Sequence, residues 1–200
     1  MPRVCVGEEK GVSSKKCALA LVGMPGSGKS TCAAHLSRRG LYTFRFGGIV
    51  TGEIARRGWA LTPSNERTVR EEFRAREGMD VMAKRALPYL RNALLDRNLV
   101  VIDGLYSFSE YTTLKRDLVA ELIVIAIVSD RDLRYARLAA RPERPLTRAE
   151  AEQRDIAEIV RLEKGGPIAI ADYTLLNNGS PAELNAALDV IINRLIEETT

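Results

Sequence analysis

The sequence predicts a single α/β domain in which helices cover both faces of a parallel sheet. Short apolar runs that suit strands buried on both faces alternate with helical segments along the chain, as in right-handed βαβ units. A glycine-rich turn joins the first of these strands to the first helix. The 200 residues fit one such domain and contain no internal repeat or linker.

Five segments have the composition of strands. The first is the apolar run 17–23, which ends in glycine, and the second is a weaker strand and turn over 42–50. Residues 99–103 form another apolar run. Residues 122–128 are the strongest strand because they are rich in β-branched side chains. Residues 173–177 supply the last strand.

The segments between these strands have helical patterns. The first helix is predicted over 28–39, with Gly40 as its stop signal. Residues 51–97 are rich in arginine and glutamate and contain several interrupting residues, so we expect several short helices there. The interrupting residues are Gly58, Pro63, Gly78 and Pro88. Further helices are predicted at 107–118, 131–141, 147–164 and 180–198. The last two begin with capping-box pairs, which are Thr147 with Glu150 and Ser180 with Glu183.

Composition indicates a globular protein of the cytoplasm. Hydrophobic residues make up 46% and charged residues 28% of the chain, which excludes a disordered or fibrous protein. The three cysteines have no metal-type spacing, and the sequence shows no secretory leader, so we expect the thiols to be reduced. No stretch approaches the ~18 consecutive apolar residues of a membrane span. We interpret residues 1–16 as a loose leader and residues 17–200 as the folded domain.

The charge balance suits an acidic ligand. The formal net charge is +4 and the pI is about 9.1, and either a polyphosphate substrate or a nucleic acid would satisfy this balance. No run of lysine and arginine is long enough to indicate a nucleic-acid tail. We therefore expect a small-molecule partner rather than a nucleic acid.

The segment from Gly23 to Ser30 matches the phosphate-loop pattern G-x-x-x-x-G-K-[S/T] without substitution. Its glycines permit backbone conformations in which N–H groups turn toward phosphates, and the following helix adds the positive end of its dipole. Lys29 would reach the β- and γ-phosphates, and the Ser30 hydroxyl would ligate Mg²⁺. A chance glycine-rich turn is the alternative. The preceding strand and the following helix favour the phosphate loop.

Two further groups suit phosphoryl transfer. Asp103 closes an apolar strand, where an acid beside a phosphate loop orients Mg²⁺; an ordinary strand-terminal aspartate is the alternative. Arg134, Arg137 and Arg141 recur at helical spacing and share one face, just before two prolines. We interpret these arginines as part of a small lid that closes over ATP. A solvated basic helix face is the alternative.

Several longer stretches carry a family resemblance. They are LVGMPGSGKST, FGGIVTGEIARRG, VIDGLYSFSEY, RYARLAARPERPLT, AEQRDIAEI and GGPIAIADYTLLNNGSPAEL. In these stretches the chain resembles the adenylate kinase and dephospho-coenzyme A kinase group of P-loop kinases. The resemblance implies a P-loop NTPase three-layer sandwich, with a parallel sheet of order 2-3-1-4-5 and lid and acceptor-arm insertions. It also implies an ATP- and Mg²⁺-dependent enzyme that transfers the γ-phosphoryl group to a nucleoside monophosphate or an acceptor like dephospho-coenzyme A.

By position, the resemblance assigns roles to single residues. The ATP phosphates would be bound by Gly23, Met24, Pro25, Gly26, Ser27, Gly28, Lys29, Ser30 and Thr31. Ser30 and Asp103 would hold Mg²⁺. The catalytic residues would be Lys29, Asp103, Arg137 and Arg141. Asn177 and Gly179 would lie near the adenine, and a simple turn is the equally weighted alternative for them.

The acceptor side departs from the group's pattern. Relatives carry an acid and then an arginine after the second strand, where this chain has Gly48 and Thr51, and Tyr106 stands where relatives often have arginine. Nearby substitutes would be Glu53, Arg56 and Arg57. The predicted acceptor arm carries Arg67, Arg70, Glu71, Glu72, Arg74 and Arg76, mostly as a solvated face and in part as ligands of an acceptor phosphate. The acceptor stays open.

Four other functions are alternatives to the kinase. A regulatory or degenerate ATP-binding module would suit Gly48 and Thr51. A GTPase switch is disfavoured because no Asn-Lys-x-Asp sequence follows the fourth strand. A motor ATPase is disfavoured because the chain is short and a glycine follows Asp103. A nucleic-acid-associated protein is suggested by the pI alone, and the oligomeric state stays open.

Overall fold

The computed structural model describes residues 15–199, in which five strands form one parallel sheet. The strands are β1 (Cys17–Val22), β2 (Thr43–Arg45), β3 (Leu99–Asp103), β4 (Glu121–Val128) and β5 (Tyr173–Leu176). Their order is β2-β3-β1-β4-β5, which confirms the predicted fold class and the order 2-3-1-4-5. The predicted leader lies outside the described residues, except for Lys15 and Lys16, and stays a prediction.

Helices connect the strands and follow the last of them. They are α1 (Lys29–Arg38), α2 (Gly47–Arg56), α3 (Pro63–Glu77), α4 (Val81–Ala93), α5 (Phe108–Asp117), α6 (Arg131–Ala139), α7 (Arg148–Leu162), α8 (Gly165–Ala169) and α9 (Pro181–Thr199). The several short helices expected over 51–97 are therefore present. Within residues 15–199, no helix is both long enough and apolar enough to cross a membrane.

The sheet is buried on both faces, because successive side chains of a strand point to opposite sides. On one face, Ala18, Ala20 and Val22 of β1 pack into a core that includes side chains of α2 to α5. On the other face, Leu19 and Leu21 pack into a core with α1 and α9. Both faces of β1 therefore need apolar residues, which explains the unbroken apolar run of this strand.

The parallel register brings the carboxyl ends of the strands to one edge of the sheet. Leu21 of β1 pairs with Asp103 of β3, which in turn pairs with Arg45 of β2. On the other side of β1, Val128 at the end of β4 pairs with Leu176 at the end of β5. The loops that follow the strands therefore meet beside the start of α1, where an open α/β sheet places its ligand.

The structure differs from the predicted elements in three places. The second strand ends at Arg45 and helix α2 already begins at Gly47. Helix α4 continues through Pro88, which is exposed, so water can bind the carbonyl that the missing N–H leaves free. Helix α7 ends because Glu163 adopts a left-handed conformation with φ 54°, and the short α8 that follows was not predicted.

Helices α7 and α9 begin with hydrogen bonds between side chain and backbone, as the sequence predicts. The Thr147 hydroxyl accepts from the Glu150 N–H at 3.3 Å, while Glu150 accepts from the Thr147 N–H at 2.8 Å. The same reciprocal pair joins Ser180 and Glu183 at 3.2 and 2.6 Å. Both predicted capping boxes are thus present, and each fixes where its helix starts.

His35, for which the sequence indicates no partner, is bound in the structure. Its Nε2 atom lies 2.8 Å from Asp189 Oδ1 of α9, which also accepts from Arg39. This contact joins α1 to α9, and neither residue lines the cavity described below.

Candidate active site

The glycines of the 23–30 loop are required by its backbone. Gly23, Gly26 and Gly28 have φ of 147°, 80° and 110°, which residues with a side chain rarely adopt. A Cβ atom at Gly23 would overlap the carbonyl oxygen of Ile127, and one at Gly28 would overlap the Asn177 amide. The loop is therefore a close-fitting backbone cradle of the kind that binds phosphates.

Lys29 is held at the centre of this cradle. Its Nζ atom donates to the carbonyl oxygens of Gly23 at 2.6 Å and Met24 at 3.0 Å. Burial and, to a lesser degree, the nearby Lys164 ammonium together lower the pKa of Lys29 to about 7, against the opposing charges of Glu158 and Asp103. An anionic ligand beside Lys29 would favour its charged form.

The loop after β5 supports the cradle from one side. The Asn177 amide donates from Nδ2 to the carbonyl of Ser27 at 2.8 Å, and the buried Ser129 hydroxyl lies 2.7 Å from the Asn177 carbonyl oxygen. Gly179 lines the mouth of the cavity described below. Asn177 thus fixes the phosphate loop through its side chain, in addition to any contact that its backbone makes with a nucleotide.

Arg134 supports the cradle from the other side. Its guanidinium donates from Nη1 to the carbonyl of Pro25 at 2.9 Å. It also forms a bidentate pair with Asp155 of α7, at 3.1 and 2.6 Å, and the Tyr135 hydroxyl donates to the same carboxylate at 3.2 Å. Since Arg134 and Asp155 are both buried, Arg134 ties the loop to α6 and α7 and belongs to neither a solvated face nor a free lid.

The other two arginines of the predicted lid line a cavity next to the loop. Arg137 donates from Nη1 to the Asn177 carbonyl at 3.0 Å and to the Ser129 hydroxyl at 3.1 Å. Arg141 lies beyond the end of α6, and its side chain is largely exposed. Partial loss of solvation and then the nearby Arg154 charge lower the pKa of Arg141. Arg134 and Arg137 both turn toward the phosphate loop, as their shared helical face predicts.

Asp103 lies at the end of β3, half-buried, next to the cradle. Burial raises the pKa of its carboxyl, and the charges of Arg45 and Lys29 act in the opposite direction. The Ser30 hydroxyl and the Asp103 carboxylate are hard oxygen ligands, the kind that Mg²⁺ takes, so this donor set fits the predicted metal.

Few protein ligands would hold such an ion. Within the described part of the chain, no group of three or more His, Cys, Asp or Glu residues is arranged to bind a metal. This is consistent with Mg²⁺, which is usually held by one or two protein ligands together with water and substrate phosphates.

The cavity beside the loop has a volume of about 890 Å³. Besides the predicted Lys29, Arg137 and Arg141, it is lined by Arg154 and Lys164, which were not predicted from the sequence. Lys164 is 2% exposed and forms an ion pair with Glu158, which also accepts from Arg154 Nε at 3.0 Å. The Lys164 ammonium lies 5.0 Å from the centre of the Tyr106 ring. The only sequence signal for this group is the four-residue spacing of Arg154 and Glu158.

The part of the cavity next to α3 is lined by residues other than the suggested acceptor-side substitutes. Arg56 and Arg57 both bind Glu53, and Arg57 also pairs with Glu72. These side chains do not line the cavity in the described structure, whereas Arg45 of β2 and Glu66 and Arg70 of α3 do. Thr51 and Tyr106 line it as well.

The glycine cradle at the end of β1, the central lysine and the 2-3-1-4-5 sheet together define a protein with the P-loop kinase fold. Comparison with known proteins agrees. Residues 19–158 match the family model described as "AAA domain" (AAA_18). The UPF0200 protein of Thermococcus kodakarensis is 36% identical over 181 residues, which cover 89% of this chain and 97% of that protein. The chain therefore belongs to this AAA-domain family and to the UPF0200 family.

Solved structures show the same fold at lower sequence identity. The crystal structure of TT1252 from Thermus thermophilus superposes with a TM-score of 0.64 at 22% identity, covering 90% of this chain and 98% of that one. Shikimate kinase from Acinetobacter baumannii, solved with shikimate, superposes with a TM-score of 0.55 at 18% identity, covering 92% and 95%. At these identities the comparison establishes the fold alone.

Proposed function

We propose that the protein is an ATP- and Mg²⁺-dependent kinase that transfers the γ-phosphoryl group to a small nucleotide-like acceptor. The observation that carries this proposal is one continuous cavity, which reaches from Lys29 of the phosphate loop to Arg70 of α3. A donor bound in the cradle and an acceptor bound against α3 would then share one space, as in-line transfer requires.

The residues have separate roles in this proposal. The backbone of the 23–31 loop and Lys29 bind the phosphates, Ser30 and Asp103 hold Mg²⁺, and the Asn177–Gly179 loop borders the adenine. When bound, Mg²⁺ neutralises charge on the phosphate oxygens. An acceptor oxygen forms the new bond to the γ-phosphorus, the bond to the β–γ bridging oxygen breaks, and ADP leaves with that electron pair. A hydroxyl acceptor releases its proton to solvent.

The nearest competing function is an ATP-binding module that hydrolyses ATP without phosphorylating an acceptor. It is favoured by the acceptor side, where Gly48 is exposed and the Thr51 hydroxyl donates to the Gly48 carbonyl at 3.2 Å. No acid follows the second strand at that position.

The buried free thiols of Cys17 and Cys32 suit a reducing compartment. We therefore propose that the protein works in the cytoplasm, whichever of the two functions it has.

A ligand screen separates the two functions. Thermal stability and ADP release would be measured with Mg²⁺ and ATP, alone and with each nucleoside monophosphate or with dephospho-coenzyme A, because a bound ligand raises the free energy of unfolding. The kinase predicts ADP release that depends on one acceptor and a phosphorylated product. Slow ADP release that no acceptor accelerates would favour the competing function, and a protein that does not bind ATP would contradict both.

Asp103→Asn is expected to lower Mg²⁺-dependent turnover by about 10- to 100-fold while metal-free nucleotide binding changes little. The substitution keeps the shape of the side chain and removes the charge that attracts the metal. Turnover against Mg²⁺ concentration and nucleotide binding in EDTA would be compared with Asp96→Asn, an exposed control near β3. Equal losses in both measurements would make Asp103 a structural residue.

Arg137→Lys and Arg141→Lys are each expected to lower turnover about tenfold with little change in ATP affinity. Lysine keeps the charge but loses the planar fork that grips two oxygens, and we propose that both arginines act on the phosphoryl group during transfer. If they grip the same group, the double variant should lose less than the sum of the single effects. Single-turnover kinetics at saturating ATP would be compared with the exposed control Arg131→Lys. An unchanged chemical step in both variants would contradict this role.

A further inference from the structure

We infer that Glu158 of α7 is a catalytic residue, which binds a hydroxyl group of the acceptor and takes its proton during transfer. This inference rests on the proposed function and narrows it, because it assigns the acceptor to molecules that are phosphorylated on a hydroxyl group. The starting observation is the position of Glu158 between two cavities. It lines the cavity of the phosphate loop and also a second cavity of about 990 Å³ between α3 and α7.

Glu158 lies where a donor and an acceptor would meet. On the donor side, it is close enough to Lys29 for its charge to act on the pKa of that lysine. On the acceptor side, Tyr106 and Arg70 of α3 line both cavities together with Glu158. An acceptor bound against α3 would therefore bring its reacting oxygen past Glu158 to reach a γ-phosphoryl group held by Lys29.

The other acids of this cavity are placed less well for such a role. Three glutamates of the described chain line the cavity, which are Glu66, Glu143 and Glu158. Glu66 lies 3.3 Å from Arg144, so it bridges α3 and the loop after α6. Glu143 is exposed on the same loop. Glu158 is therefore the carboxylate that an acceptor would meet beside the phosphate loop.

The carboxylate of Glu158 is fixed in place and still has room for a ligand. Its Oε1 atom accepts from Arg154 Nε at 3.0 Å, and its Oε2 atom accepts from the Lys164 ammonium. An ionised carboxylate has about four acceptor sites, so each oxygen keeps one more. The side chain is 12% exposed, which leaves it within reach of a molecule in the cavity.

The two cations also keep this carboxylate charged. Burial acts to raise the pKa of Glu158, but Lys164 and Arg154 together outweigh burial and hold the pKa below its ordinary value. Glu158 is therefore ionised at neutral pH. In this form it accepts hydrogen bonds and donates none.

An ionised carboxylate at this place selects the chemistry of the acceptor. It accepts a hydrogen bond from a hydroxyl group and so directs the hydroxyl oxygen at the γ-phosphorus. A fully ionised acceptor phosphate in the same place would offer no hydrogen and would meet a like charge. As the new O–P bond forms, the hydroxyl proton passes to Glu158 and then to solvent, while ADP keeps the electron pair of the broken bond. A carboxylate accepts the hydroxyl proton in the same way in protein kinases.

The first test identifies the group that is phosphorylated. The protein would be incubated with Mg²⁺, ATP and one of AMP, CMP, adenosine, cytidine or dephospho-coenzyme A, and the products would be assigned by phosphorus NMR. We expect a phosphate monoester, in which the transferred phosphorus is bound to a former hydroxyl oxygen. A phosphoanhydride formed on the acceptor would overturn the hydroxyl assignment and leave the kinase proposal standing.

ATP hydrolysis supplies a second readout, because water can take the place of the acceptor hydroxyl. ADP release would be measured for each variant below, with the reacting acceptor and with water alone. If none of the five compounds accelerates ADP release, the effect of the variants on hydrolysis decides the role of Glu158.

Glu158→Gln should lower turnover at saturating ATP about 100-fold or more, because the amide keeps the shape of the side chain but cannot take the proton. The affinity for a non-hydrolysable ATP analogue should change little. Since this change also removes the counter-charge of the buried Lys164, the double variant Glu158→Gln with Lys164→Met is measured beside it and should be equally inactive.

Two further variants separate catalysis from packing. Lys164→Met keeps the Glu158 carboxylate, which Arg154 still binds, and should lose at least tenfold less turnover than Glu158→Gln. Glu163→Gln changes an exposed acid that lines neither cavity, and should keep normal turnover as the control.

The outcomes distinguish this inference from the proposed function. Normal turnover in Glu158→Gln would overturn the catalytic role. Recovered turnover in the double variant, or an equal loss in Lys164→Met, would overturn it as well, because Glu158 would then serve only to pair with Lys164. If the ATP analogue does not bind the unchanged protein, the proposed function fails and this inference fails with it.

Discussion

Lys29→Ala is expected to lower phosphoryl transfer by about 10²- to 10³-fold, the usual effect of removing one preorganised donor from the charge that develops in a transition state. The Lys29 ammonium is already held in the cradle by the Gly23 and Met24 carbonyls, so little reorganisation is needed when the phosphates bind. Because burial already disfavours its charge, the fold should tolerate its removal.

The control for this variant is Lys84→Ala, which removes an exposed lysine of α4 that is paired with Asp80. Circular dichroism and thermal melting would verify folding of both variants, and ADP release would report turnover. Full activity in a correctly folded Lys29→Ala protein would contradict the phosphate-loop assignment. Loss of activity in Lys84→Ala as well would show that the assay reports stability instead of catalysis.

Asp155→Ala is expected to lower the free energy of unfolding by about 3–5 kcal/mol, because it leaves the buried Arg134 guanidinium without its carboxylate. Asp132→Ala removes the acid of another pair between α6 and α7, with Arg148, whose side chains are both exposed. Its effect should stay below about 1 kcal/mol. The comparison therefore measures what burial adds to an ion pair between the same two helices.

Urea denaturation would give both values. A second readout is nucleotide affinity, because Arg134 also binds the Pro25 carbonyl, and its release should loosen the phosphate loop in Asp155→Ala but not in Asp132→Ala. Equal stability of the two variants would mean that solvent reaches the Arg134 pair. Loss of stability with unchanged nucleotide affinity would restrict the Arg134 pair to a structural role.

Much of the fold could be predicted because its signals are local. The strand before Gly23, the Gly28-Lys29-Ser30 sequence and the capping pairs each depend on residues a few positions apart. Asp103 could be placed next to the loop because parallel strands end at one edge of a sheet. These features follow from backbone geometry, which short sequence patterns report well.

The missed part of the site depends on contacts between distant segments. Nothing in the sequence near Lys164 shows that α7 and α8 turn this lysine into the cavity beside Tyr106. Likewise, the spacing of Arg134 and Arg137 gives a shared face but not which arginine is buried, since that depends on Asp155. Charged residues on helices look alike in sequence, whether they face solvent or a buried partner.

The hydrogen bond from Asn177 to the Ser27 carbonyl spans 150 positions of the chain. During synthesis, the phosphate loop would leave the ribosome long before the segment that steadies it, because domains are made from the N-terminus onward. Residues 23–30 could form a turn early, yet the complete nucleotide site requires β5 to dock against β4. A nascent chain halted before residue 177 should therefore not retain nucleotide, and competence to bind it should arise only as the last strand is released.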